Sequence, residues 1–241
     1  MDPLAKLLRP KKLEEVFGQE HLLLHQQALL QKGSFIFWGP PGCGKTTIAR
    51  IIGEQPGIRF FAISAVYDGV AELRKVFRQV EEVSLLTSTS ILFVDEIHRF
   101  NRGQQDALLS AIEEGLLRLI GATTENPSFS LNAALLSRTQ VLTLNPLDED
   151  ALEALLKRAA DHIKRPLPLE ATAREKLLQL ADGDGRYLLN LAEILYDQPE
   201  ATTLKTEQML EVVRHRAPQY DRTGDQHYNL ISALHKSLRA S

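Results

Sequence analysis

The sequence predicts an α/β fold: a P-loop core with a five-stranded, mostly parallel sheet between helices, then a small all-α lid. Three observations predict it. Phe35-Ile-Phe-Trp-Gly-Pro-Pro-Gly-Cys-Gly-Lys-Thr46 carries the G-x-x-x-x-G-K-[ST] spacing between an apolar run and a helical pattern, the context in which that spacing is informative. From there to Leu144, apolar runs alternate with helical patterns, as the crossovers of a parallel sheet require. After Asn145-Pro146-Leu147 the strand signals stop and helical periodicity alone remains. The expected division is 1–145 for the core, 146–216 for the lid and 217–241 for the start of a C-terminal region.

In chain order, the mixed stretch Leu7 to Gln19 is expected to lie against the core beside the P-loop, ahead of a helix from His21 to Gln31. The strand Phe35–Trp38 ends at Gly39, and a helix Lys45–Gly53 follows the glycine-rich turn. Arg59 to Ile63 reads as a second strand. Val70, Leu73, Val76, Phe77 and Val80 have the three/four spacing of an amphipathic helix over Val70–Val83. Ile91-Leu-Phe-Val94 is a continuous apolar run, the mark of a strand covered on both faces. A helix over Gln104–Glu114, a strand over Leu117–Thr123 and a strand over Val141–Leu144 complete the core. In the lid, Asp148 to Asp161 has acidic residues in its first turn, favourable to the helix dipole. Thr172-Ala-Arg-Glu175 has capping-box spacing at the start of a second helix. Asp182-Gly-Asp-Gly185 breaks that helix and opens a third, Arg186 to Leu195, and a fourth runs from Thr206 to Arg214.

The turn Gly39-Pro40-Pro41-Gly42-Cys43-Gly44-Lys45-Thr46-Thr47 is the candidate nucleotide cradle. Gly39, Gly42 and Gly44 let backbone N–H groups turn inward around a phosphate, and the helix N-terminus behind them adds partial positive charge. Lys45 can reach the β- and γ-phosphates of ATP, and the Thr46 hydroxyl can sit on Mg²⁺. Asp95-Glu96 closes the Ile91–Val94 strand at the edge of the sheet where open α/β folds bind ligands. Asp95 can hold Mg²⁺ through water, and Glu96 can orient and deprotonate the water that attacks the γ-phosphate.

Three further places admit two readings each. Ala122-Thr-Thr-Glu-Asn-Pro127 ends the fourth strand, where Thr124, or in reserve Asn126, could reach the γ-phosphate or the attacking water; the alternative is a capped turn. Arg138, just before a core strand, is either a solvated arginine or one that reaches a neighbouring subunit's nucleotide and stabilises charge on the transferring phosphoryl group. Arg186 either touches the same phosphates within its own chain or makes a surface salt bridge.

The 241 residues suit one large domain or a medium one plus a small one, with 44% hydrophobic and 24% charged residues. The formal net charge of −3 supplies no overall basic field, so any nucleic-acid contact must come from a local patch or an assembled ring. The single cysteine, Cys43, excludes an internal disulfide and fits a reducing compartment. No early apolar segment resembles a signal peptide and no run is long enough to span a bilayer, so a cytoplasmic location without membrane contact is expected.

With these elements in place, the chain resembles an AAA+ ATPase. More narrowly, it is similar to the family of replication-associated recombination protein A, also called MgsA, whose eukaryotic members include the Werner-helicase-interacting ATPase. The resemblance rests on Arg9-Pro10, Phe17-Gly-Gln-Glu-His-Leu22, Trp38-Gly-Pro-Pro-Gly, Phe93-Val-Asp-Glu-Ile-His-Arg-Phe-Asn101 and Gln104-Gln-Asp-Ala-Leu-Leu109. It continues through Ile120-Gly-Ala-Thr-Thr-Glu-Asn-Pro-Ser-Phe129, Leu136-Ser-Arg138 and the tail Tyr220-Asp-Arg-Thr-Gly-Asp-Gln-His-Tyr228 with Ile231-Ser-Ala-Leu-His-Lys-Ser237. It implies that Lys45 and Thr46 bind phosphate and Mg²⁺ and that Asp95 and Glu96 form Walker B. It likewise implies Thr124 as sensor 1, Arg138 as the trans arginine finger, Arg186 as sensor 2, and Val16, Phe17 and Gly18 as the adenine pocket. Family members resemble clamp-loader subunits and the RuvB motor. They act as DNA-stimulated ATPases at stalled or gapped forks, with single-stranded-DNA-binding protein as an associate. A nucleoid-associated location and a homo-oligomer follow from the same likeness.

Family chains continue past Ala-Leu-His-Lys-Ser into a helical domain that builds a tetramer, whereas this sequence ends at Ser241. Leu230, Ile231, Leu234 and Leu238 would then form an apolar stripe without its cover. Two functions from different classes are therefore expected: an ATPase that remodels single-stranded or gapped DNA in replication, recombination and repair, or an ATP-binding scaffold with little hydrolysis of its own. A protein-unfolding machine is disfavoured by the lack of an aromatic-glycine pore loop between Arg74 and Ser90. Arg99 and Arg102 are candidate DNA contacts, or else a solvated helix start.

Overall fold

Parallel pairing runs through the whole sheet. The computed structural model describes residues 2–25, 33–83, 89–199 and 203–220. Among them, β1 (Phe35–Trp38), β2 (Ile58–Ser64), β3 (Thr89–Asp95), β4 (Arg118–Thr123) and β5 (Gln140–Thr143) form one sheet in the order β2-β3-β4-β1-β5. Every neighbour pair is parallel. The register sets Trp38 beside Thr123 and Thr143, Val94 beside Gly121, and Ser64 beside Asp95. The C-terminal ends of β1, β3 and β4 therefore share one edge, and the P-loop, Asp95-Glu96 and Thr123-Thr124 all leave the sheet there.

Alternation along each strand explains the continuous apolar runs. Phe35, Phe37, Ile91, Phe93, Ile120 and Ala122 join one buried cluster with Ile48 and Ile52 of helix Lys45–Gly53. Ile36, Leu92, Val94 and Leu119 join another with Leu73, Val76 and Val80 of helix Val70–Val83, Leu108 of helix Arg102–Glu113 and Leu135 of helix Ala133–Arg138. Both faces are thus covered, as buried parallel sheets need. Each fully buried aliphatic or aromatic side chain contributes roughly 1.5–3 kcal/mol relative to exposure.

The chain divides into two compact units, Pro10–Pro146 and the pair Met1–Arg9 with Leu147–Ser241. The first nine residues thus group with the helical unit rather than with the α/β unit. In that unit Leu4 and Leu8 are buried, and the Leu4 N–H donates to Glu193 Oε2 at 3.2 Å. Among the described residues, four longer helices build it: Glu149–Ile163, Ala171–Ala181, Gly185–Tyr196 and Thr206–Tyr220. Helix Gly185–Tyr196 is its core, with Leu188, Leu189, Leu191, Ala192, Ile194 and Leu195 all buried. Asp148 and Asp184 cap their helices by accepting from Ala151 N–H and Tyr187 N–H.

The capping box expected at Thr172–Glu175 does not form. The helix begins two residues earlier, with Glu170 rather than Thr172 at the N-cap and no side-chain cap. Its start is fixed instead by a parallel bridge between Leu169 and Leu204, with the Glu170 N–H donating to Leu204 O. A capping box does form where none was expected: Asn101 and Gln104 cap each other's backbone, so helix Arg102–Glu113 starts two residues before the predicted Gln104. The helix expected over His21–Gln31 is seen as Glu20–His25. Residues 26–32 and the stripe Leu230, Ile231, Leu234 and Leu238 lie outside the described residues.

Candidate active site

The P-loop begins with a close approach. The Gly39 N–H donates to Thr123 O at 3.3 Å, and a Cβ at Gly39 would meet Leu144 O at 2.5 Å. Only glycine lets β1 turn there without moving the end of β5. Gly44 stands at the N-cap of helix Lys45–Gly53 with φ of 107°, a left-handed conformation, and no side chain caps that helix. Its N-terminal amides are thereby left to an anion rather than satisfied by the protein. Lys45 is buried, and its Nζ donates to Gly39 O at 2.8 Å and Pro40 O at 2.7 Å, which fixes the ammonium inside the loop.

Thr46 and Asp95 come together from helix and strand. Thr46 Oγ1 donates to Asp95 Oδ2 at 3.3 Å, although the two residues are 49 positions apart. A hydroxyl and a carboxylate are the hard oxygen donors that suit Mg²⁺, which takes few protein ligands and completes its shell with water and phosphate oxygens. Among the described residues no cluster of three or more His, Cys, Asp or Glu is arranged to hold a metal. The residues present therefore fit Mg²⁺ carried in with phosphates better than a resident metal cage.

Glu96 follows immediately and has a left-handed backbone, φ 52° and ψ 45°. For a non-glycine residue that conformation costs on the order of 1–2 kcal/mol, the kind of strain that collects at functional positions. It brings Glu96 Oε2 within 3.5 Å of Thr124 Oγ1, so the two sequence-predicted groups do meet, with the threonine hydroxyl as donor. Asn126, the reserve for that role, forms the capped turn instead: its Oδ1 accepts from Ser128 N–H at 3.0 Å at the head of helix Pro127–Ser130.

Two residues without a predicted role hold this edge together. His98 sits in the 3-10 turn Ile97–Arg99 with a side chain only 4% exposed. Its Nδ1 is 2.9 Å from Thr123 Oγ1 and 3.3 Å from Glu96 Oε2, and its Nε2 is 3.4 Å from Glu125 Oε1. Gln19 is fully buried; its Nε2 donates to Cys43 O in the P-loop and to Asn145 O, and its Oε1 accepts from Asn145 N–H. A histidine two positions beyond the carboxylate pair was the available signal for the first. The second lies in the run Phe17-Gly-Gln-Glu-His-Leu22 that carries the family likeness, but no local pattern points to its partner 126 residues away.

The remaining predicted residues are placed as follows. Val16 packs in the cluster that contains Cys43 and Ile48, and its Cγ1 is 3.9 Å from where a Cβ at Gly44 would lie. Gly18 has φ of 75° and donates its N–H to Glu20 Oε1 at 3.0 Å. Val16, the first of the three residues expected to form the adenine pocket, thus borders the P-loop. Arg138 is exposed, with Nε donating to Glu113 Oε1 at 2.9 Å on its own chain. Arg186 is exposed in the first turn of helix Gly185–Tyr196, within the helical unit. Arg99 and Arg102 are exposed beside the edge.

Comparison with known proteins agrees with this geometry. The family described as "ATPase family associated with various cellular activities (AAA)" matches residues 35–147, and "AAA C-terminal domain" matches residues 163–239. Replication-associated recombination protein A of Haemophilus influenzae is 44% identical over 254 residues, covering 99% of this chain and 57% of the relative. The protein of that name from Escherichia coli strain K12 is 42% identical, with the same shares of 99% and 57%. ATPase WRNIP1 of Dictyostelium discoideum is 40% identical, covering 99% of this chain and 31% of its own length. The chain therefore spans a little over half the length of the bacterial relatives. Among solved structures, the Thermotoga maritima RuvB Holliday junction branch migration motor superposes with a TM-score of 0.69 at 30% identity, over 86% of this chain and 72% of that one.

Proposed function

We propose that this chain, which belongs to the AAA+ ATPase family of replication-associated recombination protein A, hydrolyses ATP with Mg²⁺ and couples that turnover to DNA. The observation that carries the reading is the meeting of Thr46 and Asp95 at 3.3 Å with Glu96 as the next residue. The P-loop amides and Lys45 bind the phosphates, and Val16, Phe17 and Gly18 take the adenine. Thr46 and Asp95 hold Mg²⁺, which when bound neutralises charge on the phosphate oxygens. Glu96 accepts the proton of the attacking water, and Thr124 orients the carboxylate or the water. Arg138 of a neighbouring copy and Arg186 of the same chain complete the positive surround of the γ-phosphate.

The DNA side of the proposal draws on the relatives' names and on the structural neighbour described as a branch migration motor. Single-stranded or gapped DNA is the proposed polymer, single-stranded-DNA-binding protein the associate, a homo-oligomer the working form, and the cytoplasmic nucleoid the location. No described helix is long and apolar enough to cross a membrane. With the first nine residues grouped in the helical unit, the proposed division of labour is a nucleotide-binding core over 10–146, a lid over 147–216 and the start of the C-terminal region at 217.

Calorimetry with Mg-ATP, alongside turnover with and without gapped DNA, tests this in wild type and Glu96→Gln. Tight binding in both, DNA-raised turnover in wild type and a loss of about 10²-fold or more in the variant are expected. Binding without turnover in wild type would replace the ATPase by the ATP-holding scaffold. Absence of binding in folded protein would end both.

A further inference from the structure

We infer that His98 is a positioning residue that holds the Glu96 carboxylate through its Nδ1–H. The inference rests on the reading of Glu96 as the group that activates water.

The hydrogen bonds around Thr123 assign the proton. Thr123 Oγ1 lies 3.2 Å from Glu125 O, and it accepts from the Glu125 N–H at 3.0 Å. A hydroxyl has one hydrogen and a carbonyl oxygen can only accept, so the contact with Glu125 O assigns that hydrogen to the carbonyl. What Thr123 turns toward His98, 2.9 Å away, is therefore a lone pair. With the Glu96 carboxylate facing the same nitrogen, the network assigns the hydrogen to Nδ1. Glu96 Oε2 lies 3.3 Å from that nitrogen, within ion-pair distance, so an N–H there faces both the hydroxyl and the carboxylate. Nε2, 3.4 Å from Glu125 Oε1, faces away from Glu96 and has no part in the contact.

Burial makes His98 the fixed member of the pair. Its side chain is 4% exposed against 32% for Glu96, and it lies in the turn between the buried residues Ile97 and Phe100. Thr124, the other donor to Glu96 Oε2, is exposed and more distant at 3.5 Å. The anchor also reaches the P-loop, because Thr123, which orients His98, accepts through its carbonyl from the Gly39 N–H. A chain of contacts Glu96–His98–Thr123–Gly39 thus ties the water-activating carboxylate to the start of the phosphate cradle.

Side-chain geometry gives the test. The Asn amide nitrogen falls where His Nδ1 stands, and the Gln amide nitrogen where Nε2 stands. His98→Asn should retain kcat within about threefold, whereas His98→Gln and His98→Ala should lose about tenfold or more, as misplaced catalytic groups do. KM and calorimetric affinity for Mg-ATP should move less than about twofold in all three, since the contacts bear on the reacting step rather than on ground-state binding. A space-filling role would instead place Gln above Asn. In nucleotide-free protein, long-range proton–nitrogen spectra of the His98 ring should show Nδ1 protonated. An unprotonated Nδ1, a Gln variant as active as Asn, or unchanged kcat in every variant overturns the inference. Should His98→Ala fail to fold, the Asn-against-Gln order still decides. Glu96→Gln separates the two levels: full turnover in that variant removes the underlying reading, whereas its loss together with a wrong His98 order removes the His98 inference alone.

Discussion

Gln19 and Asn145, 126 positions apart, exchange two hydrogen bonds: the Gln19 amide donates to Asn145 O at 2.8 Å and accepts from Asn145 N–H at 3.1 Å. The side chain acts as a short strand segment at the end of β5. It also donates to Cys43 O at 3.3 Å, so one buried amide joins the P-loop to the last residues of the α/β unit. Replacing it with leucine keeps the volume and strands these backbone groups. Gln19→Leu should lose about 1–3 kcal/mol of stability, the cost of unsatisfied buried polar groups, and should weaken Mg-ATP binding as well. Urea denaturation and calorimetry measure the two. An unchanged denaturation midpoint would show that water replaces the amide freely.

Gly39 offers a sharper steric test. A methyl group there would sit 2.5 Å from Leu144 O and 3.1 Å from Leu144 Cβ, both within the sheet's packed edge. Gly39→Ala should therefore destabilise by about 1–3 kcal/mol, as overpacked sites do. Because the shift must fall on the P-loop or on β5, nucleotide affinity should fall at least in proportion. If thermal unfolding and Mg-ATP affinity both match wild type, the approach is looser than 2.5 Å implies.

Why the sequence revealed so much of this unit, and not all of it, follows from the range of the interactions. Period-two burial on two faces is local, so Ile91–Val94 could be read as a covered strand, and the P-loop spacing announced its own turn. The Asp95-Glu96 pair was legible because a strand end fixes its location. The role of His98 was not, because its place two positions beyond that pair gains meaning only from Thr123 at the end of β4 and Glu125 just after it, 25 and 27 residues later. The start of helix Ala171–Ala181 was misread for the same reason. Thr172 and Glu175 have cap spacing, but the tertiary bridge from Leu204 sets the N-cap two residues earlier, at Glu170. Grouping of Leu4–Leu7 with helix Gly185–Tyr196 through Glu193 is likewise invisible to any window of local pattern.

Arg99 and Arg102 are exposed on either side of Asn101, at the start of helix Arg102–Glu113. Neither has an ion-pair partner among the described residues, so both are free to meet phosphates. If they do, Arg99→Ala with Arg102→Ala should weaken single-stranded DNA binding and flatten its log–log salt slope by about 1.4, at about 0.7 per lost phosphate contact. Turnover without DNA should persist, because neither arginine lies among the phosphate-binding or Walker B residues. A salt slope equal to wild type would assign both to a solvated helix start.

Arg138 makes the strongest demand on assembly. Its Nε donates to Glu113 Oε1 at 2.9 Å, but the two side chains are 57% and 45% exposed. Exposed pairs of this kind contribute about 0–1 kcal/mol, so the bond is too weak to hold the guanidinium against a triphosphate on a neighbouring copy. Arg138→Ala should therefore leave the unfolding midpoint nearly unchanged while lowering turnover by about 10³-fold, the scale of a lost arginine finger. The decisive measurement mixes two inactive proteins. Glu96→Gln supplies an intact Arg138, and Arg138→Ala supplies an intact Glu96, so any mixed interface that brings them together has a complete site. Recovered turnover on mixing places Arg138 in trans. If Arg138→Ala alone keeps wild-type turnover, the arginine is a surface residue paired with Glu113 and nothing more; if the variant is dead but mixing restores nothing, it acts within its own chain.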